Sequence, residues 1–210
     1  MRASLADQGQ GPLEQPDRAA LACAIEAALR RPNTLAIALG ANLPSPVGEP
    51  AATLEAAEPG LITLLQDWLK TWLAISGVSG VGRDGLLDGR CHWSPQLSTA
   101  PVGGPPGQCD YTNAALVVEL PEGLLPAAAP ALDLLRQLQG LEAHFGRPPL
   151  TAREHWGPRS LDLDLLWWGD LQLDLPATAS TPALRLPHPL WRQRSFVLDP
   201  LAALVREIAS

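Results

Sequence analysis

The sequence predicts an α+β fold, an α/β sandwich with a ferredoxin-like βαββαβ core, in which a mostly antiparallel sheet carries the helices packed on it. Three observations lead there. Short apolar or alternating runs at residues 35–39, 91–99, 111–120 and 161–169 have the length and period of strands. Helical spacing of apolar residues fills 51–75 and 127–145. From Leu35 onward the order is therefore strand, helix, strand, strand, helix, strand, which places the helices on one face of the sheet.

Composition bounds the function. A chain of 210 residues with 46% hydrophobic and 18% charged residues is a soluble globular protein. Its 22 prolines and 18 glycines predict long ordered loops. The net charge of −7 argues against a nucleic-acid partner bound through a basic face. Lys70 is the only lysine, which excludes the lysine-bearing phosphate loop of many nucleotide-binding proteins. Phosphate would have to be handled by arginine forks and bound metal. Cys23, Cys91 and Cys109 lack metal-ligand spacing and read as reduced thiols in a cytoplasmic protein. No run approaches the roughly 20 apolar residues of a membrane span, so no membrane partner is expected. The acidic start, without an apolar core, predicts neither a secretory nor a transit peptide.

The elements follow in order. Residues 1–16 are polar and rich in Gly, Pro and Gln, and are expected to be disordered. Asp17 is a plausible N-cap for a helix over 18–31, with Leu21, Ile25, Ala28 and Leu29 on its apolar side. The run 35–39 is a buried strand ending at Gly40-Ala41-Asn42-Leu43. Two helical pieces, 51–57 and 61–75, flank a break at Pro59-Gly60, the second with Leu61, Leu64, Leu65, Trp68, Leu69 and Trp72 inward. A glycine-rich loop covers 77–89, and its glycine order does not match a dinucleotide-binding turn. Residues 91–99 form one strand, which a Pro/Gly loop joins to its antiparallel partner at 111–120. On that partner Asn113, Ala115 and Val117 share a face. A helix over 127–145 turns Leu132, Leu135, Leu138 and Leu141 inward, and 201–208 closes the chain as a short helix.

The most unusual stretch is His155-Trp156-Gly157-Pro158-Arg159-Ser160-Leu161-Asp162-Leu163-Asp164-Leu165. On a strand Asp162 and Asp164 project to the same side, with Cα atoms roughly 6.6 Å apart, while the leucines point to a core. Adjacent carboxylates repel, so this pair is either two solvent-facing aspartates or a seat for a divalent cation.

Several separated motifs together resemble the 6-hydroxymethyl-7,8-dihydropterin pyrophosphokinase family of folate biosynthesis. They are Ala38-Leu39-Gly40-Ala41-Asn42-Leu43, Thr99-Ala100-Pro101-Val102-Gly103, Asp110-Tyr111-Thr112-Asn113-Ala114-Ala115, the aspartate stretch, and Pro187-His188-Pro189 with Arg194-Ser195-Phe196-Val197-Leu198. The resemblance covers about residues 34–205. It makes residues 1–33 an N-terminal extension, a disordered start followed by a helix, and 34–210 the catalytic domain with a Gly-rich insertion near 77–90.

The resemblance implies transfer of a pyrophosphoryl group from the co-substrate ATP to the pterin hydroxymethyl group, with AMP released. It implies two Mg²⁺ ions on Asp162 and Asp164, and Arg159 on the ATP phosphates. Arg147 and Arg153 flank a loop whose closure in the family brings an arginine over the substrates, and either could be that catalytic arginine. Trp156 would be the loop tryptophan, or else a buried anchor. Tyr111 and Phe196 would sandwich the pterin, Asn113 would read its edge, and Thr99 and Val102 would add loop contacts. His188 and Arg194 would contact ATP, with Glu142 and Leu165 near the nucleotide. The partners are thus small molecules, and the chain is expected to act as a monomer.

Two other functions are compatible with parts of the pattern. A nucleotidyltransferase could use the same carboxylates and release pyrophosphate. A ferredoxin-like RNA-binding module would share the fold, but the acidic charge and the lack of an aromatic RNA-binding strand weigh against it.

Overall fold

The computed structural model describes residues 15–78, 85–152, 156–178 and 182–208. Its helices are α1 (Gln15–Leu29), α2 (Pro50–Ile75), α3 (Ala128–His144) and α4 (Ser195–Ile208). Its strands are β1 (Thr34–Ala41), β2 (Cys91–Trp93), β3 (Leu97–Thr99), β4 (Tyr111–Glu119), β5 (Asp162–Trp168), β6 (Leu173–Leu175) and β7 (Leu184–Leu186). The main sheet runs β2-β4-β1-β5, with β3 also on β4, and these pairings are antiparallel. β1 lies between β4 and β5 because it is apolar or small on both faces, and Leu35, Ala36 and Ile37 are fully buried. The predicted α+β, βαββαβ architecture is the observed one. No helix among the described residues is long and apolar enough to cross a membrane.

The helices cover both faces, not one. α2 and α3 pack on Leu35, Ile37 and Leu39 of β1, Leu116 and Val118 of β4, and Leu163 and Leu165 of β5. The opposite face carries a second core in which Ala22, Ile25 and Leu29 of α1 and Val197, Leu198 and Leu201 of α4 meet Ala36, Ala115, Val117 and Trp167. The first helix is therefore integral to a core, although nothing in its own pattern showed which surface it would cover. β5 feeds both cores through a register shift. Trp167 stands opposite Ala36 and Leu165 opposite Ile37, so Leu166 is extra. That shift gives Leu166 and Trp167 to the α1/α4 side and Trp168 to the α2/α3 side.

Three boundaries differ from the sequence prediction. The strand predicted over 91–99 is two pieces, because Ser94, Pro95 and Gln96 stand opposite only Ala114 and Ala115. Pro95 brings no donor to the ladder, and Ser94 repairs it. Its N–H donates to the Ala115 carbonyl at 2.9 Å, and its hydroxyl accepts the Ala115 N–H at 2.8 Å. α4 starts at Ser195 rather than 201, since Val197, Leu198, Leu201 and Leu204 already form its buried stripe. The β6–β7 pair has strands of three residues each, too short for a period to show in the sequence. In α3 the buried positions are Pro130, Ala131, Leu134, Leu138 and Glu142, while Leu132, Leu135 and Leu141 flank them. Part of the glycine-rich loop, residues 79–84, lies outside the described residues.

The two helical pieces around Pro59 are one helix. Proline inside a helix costs roughly 3 kcal/mol through a missing hydrogen bond and a clash. Tertiary packing outweighs it here, because Leu54, Ala57, Leu61, Leu65 and Trp68 keep one buried stripe in phase across the proline. Pro59→Ala is accordingly expected to raise stability by about 1–3 kcal/mol. Urea unfolding would check this, and a lower midpoint would show that packing needs the proline's bend.

Candidate active site

The site begins where the helices of the second face end. Along that face β1 offers only Ala38 and Gly40, β4 offers Tyr111 and Asn113, and β5 offers Asp162 and Asp164. Small residues in the middle and functional ones on either side make a cleft of about 350 Å³. Thr99, Val102, Tyr111, Asn113, Trp156 and Phe196 all line it. Arg159, Asp162 and Arg194 complete its wall.

Asn113 is 4% exposed, and its side-chain amide donates to the Thr99 hydroxyl at 2.8 Å. Gly40 stands directly opposite in the sheet, and a Cβ there would come within 3.0 Å of Asn113 Oδ1. Glycine in β1 thus leaves room for the amide. Two of the slot's three aromatic residues, Tyr111 and Phe196, each carry a cation. The Arg159 guanidinium lies 5.9 Å from the centre of the Tyr111 ring, and that of Arg194 lies 5.4 Å from the Phe196 ring.

Arg159 is held by its backbone first. Buried Asn42 accepts the Arg159 N–H on Oδ1 at 2.8 Å, while the N–H groups of Asn42 and Leu43 donate to the Arg159 carbonyl at 2.9 and 3.1 Å. The end of β1 therefore fixes the segment before β5. The Arg159 guanidinium then donates to the Gly157 carbonyl and, through Nη1, to Asp162 Oδ2 at 2.6 Å.

The other oxygen of Asp162 accepts from Arg147, which also donates to Glu142. Glu142 is 2% exposed, accepts the Leu163 N–H at 2.9 Å, and lines neither cavity of the site. It braces α3 against β5 and orients Arg147. Arg153, the other arginine considered for the loop, lies outside the described residues.

The two aspartates are electrostatically unlike. Burial would raise the Asp162 carboxyl, but Arg147 and Arg159 outweigh it and hold it below the ordinary range. For Asp164 burial and then the Asp162 charge push the carboxyl up, and Arg194, 3.7 Å away, only partly offsets them. Asp164 is thus short of positive charge.

Asp164 also lines a second cavity of about 360 Å³ that wraps the edge of β5. Leu165 and His188 line it as well, together with Asp174 and Arg185 from the hairpin. His188 is tied to the strand by its N–H, which donates to the Leu166 carbonyl at 2.7 Å. Burial, then Arg194, lower its pKa to about 4, so its ring is neutral at neutral pH. The aspartate pair therefore stands between an aromatic slot and a second space.

Sequence reasoning missed Asn42 as a structural clasp, Gln108 in the loop before β4, and Arg185 on the hairpin. Asn42 was visible as a polar residue closing an apolar strand. Arg185 became significant only once the hairpin set it in the lining of the cavity that His188 also lines.

The sequence model of the 7,8-dihydro-6-hydroxymethylpterin-pyrophosphokinase family matches residues 36–206. The chain belongs to this family. Among curated proteins named 2-amino-4-hydroxy-6-hydroxymethyldihydropteridine pyrophosphokinase, the one from Synechocystis sp. is 42% identical over 101 residues, 48% of this chain and 43% of that protein. The one from Pseudomonas aeruginosa is 39% identical over 115 residues, 55% of this chain and 60% of that protein. The Mycobacterium tuberculosis protein is 34% identical over 124 residues, 58% of this chain and 61% of that protein. The chain thus aligns with about half of each relative's length. Both cavities of the pyrophosphokinase domain are lined within the matched residues, and α1 precedes them.

Proposed function

We propose that this protein transfers the pyrophosphoryl group of ATP to 6-hydroxymethyl-7,8-dihydropterin, releasing AMP, as a cytoplasmic enzyme of folate biosynthesis. The observation that carries this reading is the placement of Asp162 and Asp164 between the aromatic slot and the second cavity. The slot suits a flat heterocycle, with Tyr111 and Phe196 supplying ring faces and Asn113 a donor and an acceptor at the edge. The second cavity has apolar walls from Leu135, Leu165 and Leu184 and polar groups from His188 and Arg185, the mixture a nucleotide needs. Family membership and the names of the relatives point the same way.

In this reaction the hydroxymethyl oxygen bonds to the β-phosphorus, the bond from that phosphorus to the α,β-bridging oxygen breaks, and AMP leaves with that oxygen. The hydroxyl proton is lost. Arg159 faces the cleft beside Asp162 and would meet the charge that develops on the transferring phosphoryl oxygens. Arg194, between Asp164 and the Phe196 ring, would act from the other side. Arg147 is poised on Asp162 and is our choice among the described residues for the third arginine.

The donor set fits magnesium. Asp162 and Asp164 offer hard oxygen ligands, Asp164 is under-neutralised, and among the described residues no cluster of three or more His, Cys, Asp or Glu is placed to enclose a metal. Magnesium characteristically takes one or two carboxylates and completes its shell with phosphates and water. Two ions held there would supply charge neutralisation and alignment of the phosphates.

The test is incubation with Mg-ATP and the pterin, followed by identification of the nucleotide product. AMP formed only when the pterin is present is the expected result. Pyrophosphate release, or no turnover, would refute the proposal.

A further inference from the structure

Gln108 lies in the loop between β3 and β4, and its side chain joins more segments than any role given so far explains. The amide nitrogen is 3.2 Å from the Gly103 carbonyl, 3.3 Å from that of Pro105 and 3.3 Å from that of Trp156. Two N–H groups thus serve three acceptors, and the one on Trp156 belongs to a segment 48 residues away. The amide oxygen accepts from the Tyr111 hydroxyl at 3.1 Å and from the Asn42 side-chain amide at 3.4 Å.

The backbone around it is shaped for that junction. Gly103 and Gly104 both have φ of 78°. A Cβ on Gly103 would come within 2.7 Å of the Trp156 ring. One on Gly104 would come within 2.2 Å of the Trp156 carbonyl oxygen and 2.6 Å of the Gln108 amide nitrogen. Trp156 itself has φ of 55°, which a bulky residue keeps only when its surroundings hold it there. Tyr111 has one hydroxyl proton and two acceptors in reach, Gln108 Oε1 and the Gly157 carbonyl at 3.3 Å. Either choice ties the ring to the same junction.

We propose that Gln108 is a positioning residue for the heterocycle slot: its carboxamide joins the 103–105 loop to Trp156 and sets the Tyr111 ring against which the substrate stacks. The joint stands on the contacts alone, and only the identity of the substrate rests on the proposed function. Gln108 lines neither cavity and touches no reacting atom, so its removal should act on binding of one substrate rather than on chemistry.

Two measurements on the full chain test this. In Gln108→Ala, amide hydrogen exchange should quicken in peptides covering both 101–109 and 156–161, with the melting temperature unchanged. The KM for the pterin should rise about tenfold, the scale of one or two lost hydrogen bonds, while kcat and the KM for ATP stay put. Gly104→Ala keeps the carboxamide but forces the two segments apart, and should reproduce both changes. Faster exchange confined to 101–109, or an ATP KM that moves with the pterin KM, would overturn the proposal. If the wild-type protein fails to turn over pterin, the functional reading falls, and the exchange experiment still decides whether Gln108 is the joint.

Discussion

Asp164→Ala is expected to lower turnover by at least about 10³-fold and to leave the protein at least as stable as the wild type. Asp164 is a carboxylate whose ionised form is disfavoured by burial and by Asp162, with one arginine 3.7 Å away as partial relief. In the free protein it therefore contributes repulsion rather than attraction, and its removal should not lower the melting temperature. Such a residue serves the bound state, where a cation and phosphates would arrive beside it. Activity should fall by at least about 10³-fold, the range expected when charge stabilisation of a phosphoryl transfer is lost. Asp162→Ala should lower turnover equally but behave differently in unfolding. It strips Arg147 and Arg159 of their shared partner and should cost about 1–3 kcal/mol, because two partly buried guanidiniums lose a carboxylate and keep Glu142 and the Gly157 carbonyl, respectively. Thermal unfolding beside a turnover assay checks both, and a loss of activity well short of about 10³-fold in either variant would overturn the metal-seat assignment.

Arg159→Ala should slow the reaction by about 10³-fold without displacing the segment that carries it. The reason lies in how the residue is held. Its backbone is clasped by Asn42 and Leu43, and only its guanidinium faces the cleft. Truncation thus removes the charge and spares the anchor. The guanidinium makes contacts with Gly157 and Asp162 and lies over Tyr111, so one fork addresses the turn, the acid and the slot together. Lysine offers a point charge without that fork, and Arg159→Lys should recover only part of the loss. Steady-state kinetics with both variants, with the loss carried by kcat, is the check. A loss confined to the KM for ATP would assign Arg159 to binding alone.

The sheet was legible because its residues announce themselves locally. Alternation in 111–119 and the leucine–aspartate repeat of β5 fix which side chains share a face without knowledge of any neighbour. The same alternation foretold that Tyr111 and Asn113 lie on one side. What stayed hidden depended on contacts distant in sequence. Pro59 looks like a break until the stripe from Leu54 to Trp68 is seen to pack as one surface. The second helical layer could not be inferred, since an apolar side on α1 or α4 does not say which surface it covers, and the sheet face that Ala36, Ala115 and Trp167 supply is assembled from distant strands.

In the site, residue types that carry charge or rings in a motif were found from sequence, and residues that carry hydrogen bonds between loops were not. Gln108 is a single polar residue in a Pro/Gly loop, with no periodicity to mark it. Glu142 entered only through the resemblance, as a residue near the nucleotide, and its pattern did not show that it is buried, receives Arg147, and accepts the Leu163 N–H. Its acidity serves the geometry of β5 and Arg147, and that follows only from the packing of α3 on β5.

The central claim is that the aspartate pair, set between the two cavities, directs attack at the β-phosphorus of ATP. Positional labelling tests it most directly. With ATP labelled at the γ-phosphorus, the pterin and magnesium, the label should appear in a pterin diphosphate, and ATP labelled at the α-phosphorus should give labelled AMP. Appearance of the γ-label in free pyrophosphate, with the α-label joined to the acceptor, would contradict the claim and make the protein a nucleotidyltransferase.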